Sequence, residues 1–553
     1  MCLACVAAVP AGEITGLTLI DADTDQALGA LNDGDVIDLS TTAGGINIRA
    51  EVTGSVGSVR FALNETENYR TENVAPYALQ GDNQGNYNAW IPTQGAYTVV
   101  ATPYPQSGAR GTPGQPLAVA FQITGQPKSG TGAPQPVPSQ YPDIASEQEM
   151  PRVSVPVGGT ASITGDLKRW HCVTLTFDGI ETNATASPNP FLHYRLDVML
   201  TDGETLFTVP GYYAGDGRGG MAGNKWRAHF SPPELGTWVY YASFRAGFNI
   251  NTSLDPEAGQ PTACDGATGF LEVAESDVAE PDFRAPENGL LINRGGHYLT
   301  FGGSGRPWIK GGPDIPENFL GYVGFDNTPN ARHTYAAHVA DWNPGNPDWG
   351  DGQGKPIIGA LNYIAATGGN CLYFLPMNIG GDGKDTFPTI GPYEKTRYDN
   401  AKLLQWETVF AHAQSLGIFL HFQLAETESG NEKYHDNGTL GPERKLYYRE
   451  LVARFGHHNG IEFNIGEEND YGTELRVQFA RFIKDVDPYD HPVAVHTHSG
   501  KEIQTYDPFV DLVEAGQDIG IDMTSFQGGR SGMDMAELMA RFREASAEAG
   551  RPG

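Results

Sequence analysis

The sequence predicts a multidomain chain in which two all-β sandwiches precede a (β/α)8 TIM-type barrel that runs out after about six βα units. Three observations lead there. Up to about residue 275, short runs rich in β-branched and aromatic residues alternate with turn clusters, as in a sandwich. A Pro/Gly-rich stretch, QPKSGTGAPQPVPSQYPD (Gln126–Asp143), interrupts those runs. After about Gly289, short apolar runs alternate with amphipathic helical stretches, the grammar of βα units on a parallel sheet.

At 553 residues the chain is too long for one hydrophobic core. Seventy Gly and 38 Pro describe a turn-rich folded protein. A net charge of −31 excludes nucleic acid as a partner, because a phosphate backbone is held by clustered Lys and Arg. No segment reaches the ~18 apolar residues that would span a bilayer, so no membrane partner is expected. The five cysteines, Cys2, Cys5, Cys172, Cys264 and Cys371, show neither metal-ligand spacing nor a disulfide framework, and no metal or other cofactor is expected. The opening MCLACVAAVPAGE ends in small residues at Val9-Pro10-Ala11 and reads as the remnant of a secretory signal over 1–11, which predicts a secreted or periplasmic location.

The first sandwich, an immunoglobulin-like module over 12–126, shows in GLTLIDADTDQAL, INIRAEV, SVRFALN and YTVVATPY. Its Asp21, Asp23 and Asp25 lack the rest of a calcium loop and read as a solvated turn. A semi-rigid linker over 127–150 follows, then a second sandwich over 151–275. There NKWRAHFSPPELGTWVYYASF offers Trp226, Phe230, Trp238 and Tyr240 as core aromatics around a Pro-Pro turn.

Over 286–553 six strands are read in order: PWIKGG (Pro307–Gly312), NCLYFLPM (Asn370–Met377), GIFLHFQLAE (Gly417–Glu426), GIEFNIGEEN (Gly460–Asn469), PVAVHTH (Pro492–His498) and GIDMTSFQG (Gly520–Gly528). A helix is read around HTYAAHVADW. No Gly-rich phosphate loop follows the first strand, which favours a barrel over a doubly wound sheet. In a barrel the chemistry sits at the carboxyl ends of the strands. Polar residues gather there: Asp314, Asn378, Glu426, Glu467, Glu468, His496, His498 and Gln527, with His421 inside its strand. Adjacent carboxylates closing an apolar strand suit general acid/base work. Successive strand residues point to opposite sides, so one of Glu467 and Glu468 takes the reaction axis. Trp342 and Trp349, in the loop ADWNPGNPDWGDGQG, are candidates for stacking on a sugar face.

The segment IEFNIGEEND resembles the W-N-L-G-E-E-N segment of clan A barrel glycosidases, including the apiosidase-like group, and W-x-x-x-F-x-P-x-x-x-G-x-W-x-Y resembles the sandwich that precedes such barrels. The resemblance covers about residues 150–553. It implies a retaining glycoside hydrolase acting on an extracellular oligo- or polysaccharide, with the acid/base on Glu468 and Glu467 as its neighbour or alternate. Asp314, Asn378, His421, Glu426, His496, His498, Gln527, Trp342 and Trp349 are then expected to bind substrate. The resemblance also implies a nucleophile on a seventh strand, expected beyond Arg551-Pro552-Gly553. Two other readings stand beside it: a catalytically silent carbohydrate-binding protein, and a metal-dependent barrel hydrolase using the His496-x-His498 pair.

Overall fold

The computed structural model describes residues 12–22, 25–39, 45–64, 66–83, 86–87, 90, 92, 94–124, 141–151, 157–293, 298–313, 317–527 and 532–548. The chain divides into two compact units, Met1–Gln135 and Pro136–Gly553.

In the first unit a four-stranded sheet carries Glu13–Asp21 at its centre, and a five-stranded sheet is built on Gly95–Tyr104 and Leu117–Thr124. Alternate residues point inward, so Leu17, Ile48, Phe61, Val99, Phe121 and Ile123 make one apolar core. Asp25 accepts a hydrogen bond from the backbone N–H of Tyr87 at 2.7 Å, a turn-fixing role. Residues 1–11 and Asp23 lie outside the described residues.

The second unit opens with residues that the sequence assigns to the linker. Asp143 accepts from the backbone N–H of Asn189 at 3.0 Å and lies 3.0 Å from Nε2 of His193, so the chain from Tyr141 onward docks on the sandwich that follows. Its one sheet is built on Val173–Asn183 and Ala222–Phe230, its other on Tyr194–Thr201 and Gly236–Ala246. Trp226, Phe230, Trp238 and Tyr240 are all buried between them.

Beyond the sandwich five parallel strands, Cys371–Phe374, Phe419–Gln423, Ile461–Asn464, Val493–His496 and Met523–Ser525, pair strictly in sequence order. Helices connect them: Asn400–Ser415, Pro442–Phe455, Thr473–Val486 and Glu502–Glu514, with Lys355–Ala366 before the first strand and Gly532–Glu548 after the last. Local signals set their ends. Asp399 caps Asn400–Ser415 by accepting from the N–H groups of Ala401 and Lys402 at 3.1 Å, and Pro442 opens its helix with a preset φ.

Two expectations are corrected. Pro307–Gly312 is not a strand. It runs beside the sheet, with Asn370 N–H donating to Gly311 O at 2.7 Å, because two prolines and two glycines within 307–313 deny it a ladder. The helix expected around HTYAAHVADW is a 3-10 segment, Ala336–Asp341. The strands are also shorter than the sequence suggests, and the residues that follow them, 375–379, 424–426 and 465–466, stay buried outside the ladder.

The sandwich and the parallel sheet share one core. Helix Pro442–Phe455 lies against the sandwich. Arg449 donates to Asn251 Oδ1 at 2.7 Å, to Leu196 O at 3.0 Å and to Asp197 at 2.5 Å. Arg397 donates to the carbonyls of Ala184 and Ala186 at 2.8 Å.

Candidate active site

The interior face of the parallel sheet is polar. Cross-strand pairing sets His421 beside Glu462 and Gln423 beside Asn464, so all four share a face. Lys310 donates to His421 Nδ1 at 2.6 Å and to Glu462 at 3.0 Å, and the Asn464 amide lies 3.0 Å from His421 Nε2. Burial, with the Lys310 charge beside it, holds His421 well below the usual histidine range. It is therefore neutral. The Tyr373 ring packs edge-on against His421 at 5.0 Å and lies 6.2 Å from His496.

Above this network the strand Ile461–Asn464 ends in Gly466-Glu467-Glu468. The Glu467 N–H donates to Ala425 O at 2.7 Å, tying the tip to the neighbouring strand end. The two glutamates then part company. Glu467 joins Glu317 and Glu426, with one carboxylate oxygen of each within 4.8 Å of the others. Burial first, then the charge of Glu317 and a hydrogen bond shared with it, push Glu467 up to about 8. Burial and the charges of Glu428, Glu467 and Asp382 push Glu426 up to about 9, and burial with Asp382 pushes Glu428 to about 7. Two carboxyls share a hydrogen bond only when one keeps its proton, so Glu467 and Glu317 hold a proton between them, and Glu426 is shifted the same way, toward its protonated form. Three such oxygens could also bridge a hard divalent cation; shared protons answer the same charge demand.

Glu468 turns the other way. Its N–H donates to His496 Nδ1 at 3.2 Å, and its carboxylate lies 3.3 Å from His498 Nδ1, whose Nε2 is 3.1 Å from Asp470. Its φ is +43°, a left-handed conformation that costs a non-glycine residue on the order of 1 kcal/mol. The side chain is 23% exposed and open to a ligand.

The remaining candidates divide. Asn378 is fully buried, and its amide donates to Asp385 while accepting from the N–H groups of Asp385 and Thr386, so it holds the 385–386 turn. Gln527 is exposed, with its N–H on Thr497 Oγ1 at 3.2 Å. Trp342 donates to Pro347 O and lies under the Lys355 ammonium; Trp349 donates to Gly324 O and stacks on Phe325 at 5.6 Å and 6°. Both indoles of the 342–354 loop are thus engaged in packing, against the core that the sandwich and the parallel sheet share. Asp314 lies outside the described residues.

Sequence reasoning missed Lys310, Glu317, Asp382, Glu428, Glu462 and Asn464. The signal for Glu462 and Asn464 was present: polar residues at i and i+2 in an apolar strand share one face. Glu317, Asp382 and Glu428 sit in loops, where no periodicity marks them.

Residues 166–245 match a domain family described as a domain of unknown function, DUF5060. A search of curated proteins finds no match. Among solved structures, the chain is similar to a Bacteroides vulgatus protein provisionally assigned as a glycoside hydrolase, at 17% identity and a TM-score of 0.46, covering 68% of this chain and 63% of that one. It is similar to a β-glucuronidase from Ruminococcus gnavus at 11% identity and a TM-score of 0.23, covering 71% and 58%. A pullulanase from Anoxybacillus sp. is similar at 9% identity and a TM-score of 0.18, covering 84% and 62%. The chain thus spans less than two thirds of each of these structures, and similarity at this level assigns no activity.

Proposed function

We propose that the protein is a retaining glycoside hydrolase acting on an oligo- or polysaccharide outside the cytoplasm, that its parallel sheet is part of the wall of a (β/α)8 barrel, and that Glu468 is its acid/base. The observation that carries this reading is the divergence of Glu467 and Glu468 at one strand tip into opposite surroundings. Glycoside hydrolysis needs a carboxyl that gives a proton to the leaving oxygen and later takes one from water. Glu468 suits that part. It is reachable from solvent, its backbone is fixed in a strained conformation, and His498 Nδ1 lies 3.3 Å from its carboxylate. Glu467 and Glu426, both shifted toward their protonated forms, sit at neighbouring strand ends as candidate hydrogen-bond donors. His496, His498 and Gln527 supply further contacts for sugar hydroxyls, and a bound carbohydrate is the one partner the reading needs.

A second reading gives proton donation to Glu467, and its raised affinity for a proton favours it. The two are separable. Reducing-end release is measured over a panel of polysaccharides with the wild-type chain, Glu468→Gln and Glu467→Gln. The primary reading requires the larger loss in Glu468→Gln; the second requires it in Glu467→Gln.

A further inference from the structure

Away from the strand tips, where the second sandwich meets the parallel-sheet region, three segments distant in sequence bring together a sulfur and two imidazoles. Cys172 immediately precedes the strand Val173–Asn183, His229 lies in Ala222–Phe230, and His457 follows the helix Pro442–Phe455. Cys172 Sγ and one ring nitrogen from each histidine fall within 4.8 Å of one another. Cys172 Sγ is 3.6 Å from His229 Nδ1. A tetrahedral zinc with bonds of ~2.3 Å to sulfur and ~2.05 Å to nitrogen sets those two ligand atoms about 3.5 Å apart.

The outer nitrogens are already held as zinc-binding imidazoles usually are. His229 Nε2 is 2.7 Å from the Tyr212 hydroxyl, and His457 Nε2 is 3.1 Å from Glu407 Oε1, whose other oxygen is 3.1 Å from His458 Nε2. Such a carboxylate behind a ligating histidine fixes its ring and its tautomer. His457 is 3% exposed, and its Nδ1 is buried without any hydrogen-bond partner, an uncommon state for a native polar atom. A cavity of about 50 Å³ is lined by Tyr212, His229, Glu407 and Arg454, on the side of His229 and Glu407.

We infer that Cys172 Sγ, His229 Nδ1 and His457 Nδ1 form a binding site for a zinc ion that clamps the sandwich to the parallel-sheet region. The donor set of one thiolate and two imidazoles selects zinc over calcium or magnesium, which take oxygen ligands. Thr174 Oγ1, now 2.9 Å from His229 Nδ1 and 3.8 Å from Cys172 Sγ, shifts its hydrogen bond to the thiolate when the metal takes the nitrogen.

The test uses the full chain, stripped with chelator and titrated with zinc chloride or cobalt(II) chloride. One equivalent is expected to bind. The cobalt form should show a thiolate-to-metal band in the near ultraviolet and the visible bands of a four-coordinate ion, with the thiolate band lost in Cys172→Ser. In the wild type, zinc should also protect Cys172, mapped by mass spectrometry, from iodoacetamide, a readout that needs no variant to fold. Absence of stoichiometric binding, a cobalt spectrum without the thiolate band or unchanged by Cys172→Ser, or alkylation of Cys172 at the same rate with and without zinc would each overturn the inference. The last result would point instead to a nucleophilic thiol paired with His457.

Discussion

A β-carbon on Gly381 would stand 1.3 Å from Oε2 of Glu426, so the loop after the strand Cys371–Phe374 reaches the carboxyl cluster only because position 381 has no side chain. Glu426 is pinned there by the N–H of Asp382 at 3.2 Å. Gly381→Ala is expected to cost about 1–3 kcal/mol, the usual penalty of overpacking, measured by urea unfolding. Combined with Glu426→Ala, which removes the clashing atoms, part of that loss should return as a favourable interaction energy in the double-mutant cycle. Strict additivity would contradict the contact.

The carboxyl cluster makes stability depend on pH in a stated direction. Glu428, Glu467 and Glu426 have folded-state pKa values raised to about 7, 8 and 9 from an ordinary 4.5. The stability that their protonated forms contribute is complete below pH 4.5 and is lost as the pH rises through 7 to 9. Glu426→Gln mimics the protonated side chain. It should be nearly neutral at about pH 5 and more stable than the wild type by several kcal/mol near pH 9.5, where the wild-type carboxyl is forced to ionise. Thermal unfolding across that range reads the difference, and parallel curves for the two proteins would count against the cluster.

Arg449 joins the helix Pro442–Phe455 to the sandwich through Asn251, Leu196 and Asp197. Its replacement by Met keeps the length and removes every one of these bonds, so the buried Asn251 amide oxygen and the Leu196 carbonyl lose this donor, while Asp197 keeps Arg195 at 3.1 Å. A loss of about 2–4 kcal/mol in urea unfolding is expected. A change within ~0.5 kcal/mol would mean that the apolar part of the interface alone holds the two together.

How far the sequence spoke depended on the kind of signal. The strands Phe419–Gln423 and Ile461–Asn464 were legible because a short apolar run set between amphipathic helical stretches has the length and the surroundings of a buried parallel strand. Trp226 and Trp238 were legible because aromatics at alternating positions fill a sandwich. Pro307–Gly312 misled because its short apolar start resembled a strand, while its prolines and glycines, the stronger signal, pointed to an irregular path. Trp342 and Trp349 looked free of packing partners, since Phe325, on which Trp349 stacks, lies 24 residues away and in no regular element. Glu467 and Glu468 were visible as a pair. Their divergence was not, because it depends on the left-handed turn at Glu468 and on Glu317, more than a hundred residues upstream. The Cys172, His229 and His457 cluster was hidden for the same reason: spacing arguments find ligands that share a segment, and these share only a fold.

The most direct measurement of the central claim compares Glu468→Gln and Glu467→Gln on a substrate found in the polysaccharide screen and on an aryl glycoside of the same sugar with an activated leaving group. Loss of an acid/base typically removes 10²–10⁴-fold of the rate when the leaving group needs a proton and far less when it does not. Glu467 is shifted toward its protonated form, which Gln mimics, so its Gln variant should lose roughly tenfold or less on both substrates. The account predicts that Glu468→Gln nearly abolishes hydrolysis of the natural linkage, keeps much of its activity on the activated glycoside and is rescued there by azide with retention of configuration. Undiminished hydrolysis of the natural linkage by Glu468→Gln, or the azide-rescued pattern in Glu467→Gln instead, would contradict it.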